Sequence, residues 1–450
     1  MKTAAIESAE SAQFGQKEDV IGPSLSSQLL ALVSQRPITE LDLEMTALFT
    51  LDSIAGIVGA RTSPKAAPFL NWLASGDEGV GTGRAAMRLG ALSNILELDS
   101  MHRASAVHAG TVVVPAAFAV GYARRRDGRH VLSAIIKGCE VVYRIGRAVG
   151  PTHYKNYQNT STVGPFGAAV AAGLLMDLSP SELVHAFGNA GTQAGGFWEF
   201  LTEGTLTKQL HAGGSAERGV VAAHLAKHFF TGPSGILEGA RGFFAIACPG
   251  SDPEAVMRAP DSRWELWNNS YKPWPTPRHT HPTIDAALEL SSLLTGRPVR
   301  RIDVETYPVA LDLCNEPVAT NEHQAKFSLR YCAVIALLDG QVNHASFASD
   351  ALIRAAGLVE RTSVRTAEPY TSAYPRAWGA RVSVTLESGD TLVCTREHAK
   401  GDPEAPMSRN EMIAKAIDLF RIGGVTQPED FAASVLDMVR GGPVPDLLKT

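Results

Sequence analysis

Residues 207–233 read TKQLHAGGSAERGVVAAHLAKHFFTGP, and this stretch sets the fold class. From Gly214 to His228 its apolar and small residues recur at helical spacing. Its Ala and Gly content lets a helix axis come close to its neighbours, so the helix should be buried on several sides. The same composition appears upstream as AAVAAG at 168–173.

Working outward, helical patterns are expected at 41–58, 84–98, 115–125, 131–149, 166–175 and 181–194. Ser179-Pro180-Ser181-Glu182 puts a proline and an acid in a first helical turn, which marks a helix start. Residues 24–268 therefore read as a compact helical main domain, preceded by a polar tail over 1–23.

The pattern changes after Pro273. Arg301–Pro308 alternates apolar and polar residues as a strand does. Ala380–Glu387 and Thr391–Thr395 do the same, and Ser388-Gly389-Asp390 between them is a hairpin signal. Helices are expected at 284–294, 326–338 and 349–356. Residues 269–407 thus read as a smaller α+β domain. Helices at 411–420 and 428–439 fill a final segment, 408–450, expected to pack back on the first domain. The fold class is mainly α with a smaller α+β domain.

Composition narrows the function. The chain has 450 residues, 45% hydrophobic and 19% charged, with a net charge of -5. Nucleic-acid binders carry a basic surplus or stripe that is absent here. The five cysteines, Cys139, Cys248, Cys314, Cys332 and Cys394, are far apart and lack CxxC spacing. They read as reduced, buried thiols of a cytoplasmic protein. The N-terminus has no apolar signal-peptide core. The apolar run Thr111–Ala123 contains Pro115 and falls short of the about 20 residues a membrane span needs, so no membrane insertion is expected.

Four segments gather polar residues among small ones. The first, 97–110, holds Glu97, Asp99, His102, Arg103 and His108 after a helix. Such a loop could hold a general base beside a carboxylate-binding arginine, although loops carry polar residues by default. The second, 156–167, has Gln158 and then Thr160, Ser161 and Thr162 opening a helix. Free N–H groups there bind anions, or the hydroxyls simply cap the helix. The third, 205–214, has Lys208 and His211 just before a Gly-rich helix start. Lys208 could neutralise a substrate carboxylate or donate a proton, or it could snorkel to solvent. Lys155 reads as a solvated loop lysine. The fourth, 271–282, is stiffened by prolines at the expected domain boundary and carries Lys272, Arg278, His279 and His281. His279 and His281 lack a nearby third ligand, so a metal is not expected there. The chain has no G-x-S-x-G elbow, no H-E-x-x-H and no dinucleotide or P-loop fingerprint. Basic residues and histidines in the same segments favour a small anionic substrate.

At these segments the sequence resembles the MmgE/PrpD family over nearly its whole length. ALSNILELDSMHRASAVHAGTVVVPAAFAVG, TSTVGPFGAAVAAGLL, the 207–233 stretch, YKPWPTPRHTHPTIDAAL and AKFSLRYCAVIALLDG follow that family's blocks in order. The resemblance implies a helical main domain, a smaller lid domain, a homodimer, an active site between the domains and no metal or other cofactor. Family members dehydrate 2-methylcitrate, decarboxylate cis-aconitate or epimerise iminodisuccinate. All three chemistries move a proton close to a carboxylate.

Residue by residue, the resemblance assigns catalysis to His108, Lys208 and Asp99, with His102 beside them. Arg103, Gln158, His211, Lys272, Arg278, His279 and His281 become candidates for substrate binding. Departures accompany the match. Ser100 stands where a second aspartate is usual, Met101 where threonine is common, and Ala109 where a proline follows the histidine. Gln158 or Asn159 stands where a catalytic histidine is usual, and Thr276-Pro277 where the decarboxylase branch has another. The expectation is therefore a metal-free hydro-lyase of the 2-methylcitrate dehydratase type, acting on a small di- or tricarboxylate. An epimerase, a decarboxylase and a non-catalytic carboxylate-binding paralogue are the alternatives.

Overall fold

A computed structural model describes residues 23–67, 70, 81–200, 205–294 and 296–447. The expected N-terminal tail lies outside them apart from Pro23. The first part of the chain is built from α1 (Leu25–Gln35), α2 (Glu40–Gly59), α3 (Thr82–Ser93), α4 (Val113–Ala123), α5 (Gly128–Ala148), α6 (Gly150–Asn156), α7 (Asn159–Leu175), α8 (Pro180–Gly191) and α9 (Thr207–Lys227). Thr39 with Asp42 and Ser179 with Glu182 form capping boxes at α2 and α8.

Small residues set the helix spacing. A Cβ on Gly213 of α9 would sit 2.5 Å from the Met87 carbonyl oxygen of α3. One on Gly167 of α7 would sit 2.4 Å from the Gly138 carbonyl oxygen of α5. Any larger side chain would force these axes apart. The central helix α2 is apolar nearly all round. Its stretch Glu40–Thr62 is long and apolar enough to cross a bilayer, yet 89% of its apolar window is buried inside the fold. Leu41, expected on its buried face, is 56% exposed.

Two helices begin about two turns earlier than periodicity indicated. α7 starts at Asn159 rather than Phe166, and α9 at Thr207 rather than Gly214. The first turn of α9 brings Lys208 and Gln209 to the cavity described below, and that of α7 bonds to Ser105, His108 and His153; an apolar period does not register such turns. The first part is also not purely helical. β1 (Met101–His102) pairs antiparallel with β2 (Asn269–Ser270), in the register Met101↔Ser270 and His102↔Asn269.

A second core forms around a four-stranded sheet of order β4-β3-β5-β6. Its strands are β3 (Val299–Thr306), β4 (Thr362–Thr366), β5 (Ala380–Leu386) and β6 (Thr391–Arg396). β5 and β6 are the expected hairpin, and Gly389 in its turn takes a φ of +92° that favours glycine. β4 was not anticipated. It is an edge strand running parallel to β3, and only Thr362 in it is buried, so it carries no apolar alternation. Ile302, Val304, Val382 and Val384 of the sheet pack with Ile284 and Leu290 of α10 (His281–Leu294) and Val334 of α13 (Leu329–Asp339). Between β3 and β4 lie α11 (Pro308–Cys314), α12 (Glu322–Lys326), α13 and α14 (Ser349–Val359). The last helices, α15 (Arg409–Ile422) and α16 (Pro428–Asp437), return to the first core through Met412, Leu419, Phe420 and Val435. All five cysteines are buried and free of disulfides.

Candidate active site

The β1–β2 pair positions the site. It ties the loop after α3, which carries Glu97, Asp99 and His108, to the segment carrying Lys272. Two residues of that loop, Glu97 and Ala106, adopt left-handed backbone with φ of 58° and 52°. Such non-glycine positions cost of order 1–3 kcal/mol each, and they persist where the surroundings over-determine them. Here the Glu97 carbonyl accepts a hydrogen bond from Lys272 Nζ at 3.2 Å.

A cavity of about 500 Å³ opens beside this loop, lined from both parts of the chain. His108, Gln158, Lys208, Lys272, Arg278 and His279 all reach its wall. Nδ1 of His108 lies 3.0 Å from the Ser100 carbonyl oxygen and 2.6 Å from Asp99 Oδ2. Two acceptors at Nδ1 keep its proton there and leave Nε2 as the basic nitrogen, with no hydrogen-bond partner among the described residues. The His108 backbone N–H donates to Thr160 Oγ1 at 3.1 Å, which fixes the ring's base against the start of α7. Thr160 therefore braces the loop and does not cap its own helix.

The charges behind the wall form a chain. Lys208 Nζ lies 2.5 Å from Glu97 Oε1. Lys272 Nζ lies 3.7 Å from Glu97 Oε2 and 3.8 Å from Asp99 Oδ1. Burial works against the Asp99 charge, but Lys272, His108 and Lys208 outweigh it and hold the carboxyl far below the ordinary range. Glu97 is likewise lowered, with burial outweighed by Lys208 and Lys272. Burial would lower Lys208, yet Glu97 and Asp99 raise it, so it stays cationic. At Lys272 burial prevails over the same two carboxylates and the ammonium is lowered.

Gln158 precedes α7, and its Oε1 accepts from His211 Nδ1 at 2.8 Å. Burial pushes His211 down to about 4, so the ring is neutral and its Nδ1–H fixes the amide. The Gln158 NH2 group remains as a donor on the cavity wall. His211 itself supports Gln158 from behind and does not line the cavity, which corrects its expected contact with substrate. Asp99 also stands behind the wall, supporting His108.

Three other expectations are corrected. His102 is fully buried, stacked on Tyr143 at 4.3 Å, with Nδ1 2.9 Å from Ser105 Oγ and Nε2 3.3 Å from Glu265. It belongs to the support of the loop and has no access to the cavity. Arg103 turns away to Glu404, at 2.6 Å and 2.7 Å, because that carboxylate and Asp402 already satisfy its charge. His281 is fully buried, with Nδ1 2.8 Å from Arg278 and Nε2 3.2 Å from the Thr276 carbonyl oxygen. Both its nitrogens are engaged, so it cannot pair with His279 at a metal. Arg278, though on the wall, is held by Asp402 at 2.6 Å and by the carbonyls of Ala399 and Lys400.

Other wall residues escaped the sequence reading: Glu97 as the partner of two lysines, and Lys326 and His323 from α12. Lys326 is 2% exposed and 2.7 Å from Glu322. Lys155 is exposed as expected, but it sits on α6 and lines the cavity, so it is no bystander. Its basic neighbours at 208, 272 and 278 gave the signal; the fold was needed to bring α6 and α12 to the same opening. His398, Asp402 and Glu404 place ligand-type atoms within 4.8 Å of one another, but Arg103 and Arg278 occupy the two carboxylates.

Known proteins are similar to this chain in sequence. The cis-aconitate decarboxylase of Homo sapiens is 27% identical over 334 residues, 70% of this chain and 68% of its own. A cis-aconitate decarboxylase-like protein of Aspergillus oryzae is 26% identical over 74% of each chain. The cis-aconitate decarboxylase of Aspergillus terreus is 30% identical over a shorter 167 residues, 36% of this chain and 34% of its own. The family model of the MmgE/PrpD N-terminal domain matches residues 28–256, and that of the C-terminal domain matches 274–435. The two matches take in both the loop of His108 and the segment of Arg278 and His279, and the chain belongs to the MmgE/PrpD family.

Proposed function

We propose that this protein is a lyase that removes a proton next to a carboxylate of a small di- or tricarboxylic acid. The observation that carries the reading is the His108–Asp99 pair opening onto a cavity walled by Lys208 and Lys272. In this reading His108 Nε2 takes the proton and the ring becomes an imidazolium. Asp99 neutralises the charge that forms. Lys208, kept cationic by Glu97, faces the enolate-like charge that develops on the substrate carboxylate, where a preorganised cation is worth most. Gln158 holds a further substrate oxygen, while Arg278, whose donors go to Asp402, His281 and the carbonyls of Ala399 and Lys400, contributes only its charge to the wall. We also propose that the protein works as a homodimer joined through its Ala/Gly-rich helices, with residues 269–407 acting as a lid.

Loss of hydroxide from the neighbouring carbon, as in a 2-methylcitrate-type dehydration, is the preferred outcome. Loss of carbon dioxide is the second reading, favoured by the similarity to cis-aconitate decarboxylases. Incubation with 2-methylcitrate, citrate and cis-aconitate in deuterated water separates them. A hydro-lyase yields an unsaturated acid, a decarboxylase releases carbon dioxide with solvent deuterium in the product, and an epimerase exchanges hydrogen without net loss. If none of these substrates reacts or exchanges, the lyase reading falls and a binding role replaces it.

A further inference from the structure

His279 stands where a small aromatic core cluster, which includes Tyr307 and Trp378, meets the cavity. His279 lines the cavity on the short turn Arg278–Thr280, and its ring lies flat on Trp378, 4.4 Å away and 9° from parallel. Its Nδ1 is 2.7 Å from the hydroxyl of Tyr307. Tyr307 is fully buried and stacks in turn on Tyr374 at 4.8 Å. The Tyr307 hydroxyl has no other hydrogen-bond partner among the described residues. A buried hydroxyl must place its proton, and among the described residues the acceptor within reach is Nδ1 of His279. That assigns the ring proton to Nε2, which has no protein partner among the described residues and borders the cavity.

We infer that Tyr307 locks His279 in the Nε2–H tautomer and so makes it an uncharged hydrogen-bond donor to an oxygen of the substrate. This rests on the reading of the cavity as a polycarboxylate site and adds a second kind of recognition to it. Lysines attract any anion, whereas a neutral directional donor selects where an oxygen sits. The charged groups near the ring are Lys272 and Arg278, and the titratable group in contact with it is Tyr307. Burial, helped by both cations, pushes the imidazole down to about 3, so the donor stays uncharged across the neutral range. Tyr307 is a positioning residue, because it acts through His279.

The test reads the tautomer directly by nitrogen NMR of protein labelled at histidine, with His279→Gln used to assign the signal. The expected pattern in ligand-free protein is a protonated Nε2 and an acceptor Nδ1. Tricarballylate, a saturated tricarboxylate that cannot react, should move the Nε2 signal and leave Nδ1 as an acceptor. Tyr307→Phe keeps the ring stack but removes the hydroxyl, and should mix the two tautomers and weaken tricarballylate about 10-fold. His279→Gln, which can present a nitrogen donor near the Nε2 position, should retain more affinity than His279→Phe. A protonated Nδ1, an imidazolium, an unmoved Nε2 signal in protein that binds tricarballylate, or an unchanged tautomer in Tyr307→Phe each overturns the inference. Failure of tricarballylate to bind at all would instead count against the polycarboxylate reading, while the ligand-free tautomer still decides the role of Tyr307.

Discussion

Nδ1 of His108 lies 2.6 Å from Oδ2 of Asp99, while the Ser100 carbonyl oxygen lies 3.0 Å from the same nitrogen. The carbonyl sets the tautomer and the carboxylate supplies charge, so the two can be separated. His108→Ala should lower kcat by about 10²–10⁴-fold, the usual share of a general base. Asp99→Asn keeps the carbonyl contact and removes the charge, and a charged hydrogen bond worth about 1.5–3 kcal/mol predicts a loss of roughly 10–100-fold. Steady-state kinetics on both variants checks this. Near wild-type turnover in His108→Ala would remove it as the base.

Lys208→Ala should reduce kcat and raise KM together, since its charge serves substrate and transition state and more strongly the latter. It also leaves Glu97 facing Lys272 alone. Lys155→Ala, at an exposed place on the wall, should raise KM by a few-fold with kcat unchanged. The prediction fails if the two lysines give the same pattern.

Gln158→Glu isolates the electrostatics of the wall. A glutamate oxygen can accept from His211 as the glutamine does, so folding should hold. The new carboxylate would face an anionic substrate, and about 1–3 kcal/mol of repulsion should weaken binding roughly 10–100-fold. Equal tricarballylate affinity in the two proteins would mean that Gln158 does not face the substrate.

Chelation should leave activity intact. The cluster of three ligand-type residues among the described residues, His398, Asp402 and Glu404, has both carboxylates bound by arginine. Activity abolished by a chelator and restored by zinc or iron would refute this.

Stability should fall on mild acidification. Burial pushes His279 down to about 3 and His281 well below its ordinary value, with Arg278 and Lys272 adding to it. In the unfolded chain both take up a proton near pH 6.5. A lowered folded pKa therefore gives stability that is present above about 6.5 and is lost as pH drops towards the folded value. Between pH 7 and pH 5 each buried ring should forfeit up to about 2 kcal/mol. Asp99 and Glu97, also lowered, add their loss only below about pH 4. Urea midpoints at pH 7.5 and 5.0 measure the first effect, and His281→Gln should shrink the difference. A flat profile over that range would contradict it.

Much of the site was legible because residue type and block order are properties of the chain. His108, Lys208, Gln158, Lys272, Arg278 and His279 were all named from sequence and all reach one cavity. His102, Arg103, His211 and His281 carry the same chemistry in the same segments, yet each is turned to an internal partner. Nothing in their spacing separates the two groups, because His102, Arg103 and His211 are turned by residues roughly 50 to 300 positions away, and His281 by Arg278, which Asp402 in turn anchors. The edge strand β4 and the polar first turns of α7 and α9 were missed for a related reason: their exposure follows from what they pack beside and not from their own periodicity.

By itself the sequence determined the helical class, the hairpin, the change of character after Pro273 and the family, since these rest on local periodicity, turn chemistry and ordered motifs. Only the tertiary structure decided that Glu97 would share two lysines, that Asp99 would stand behind His108, and that Tyr307 would dictate the proton on His279. Those roles come from Coulomb and hydrogen-bond terms that act over a few ångströms. Folding brings such partners together from the loop after α3, the start of α9, the link after β2 and the end of β3, and no local reading of the chain can measure those distances.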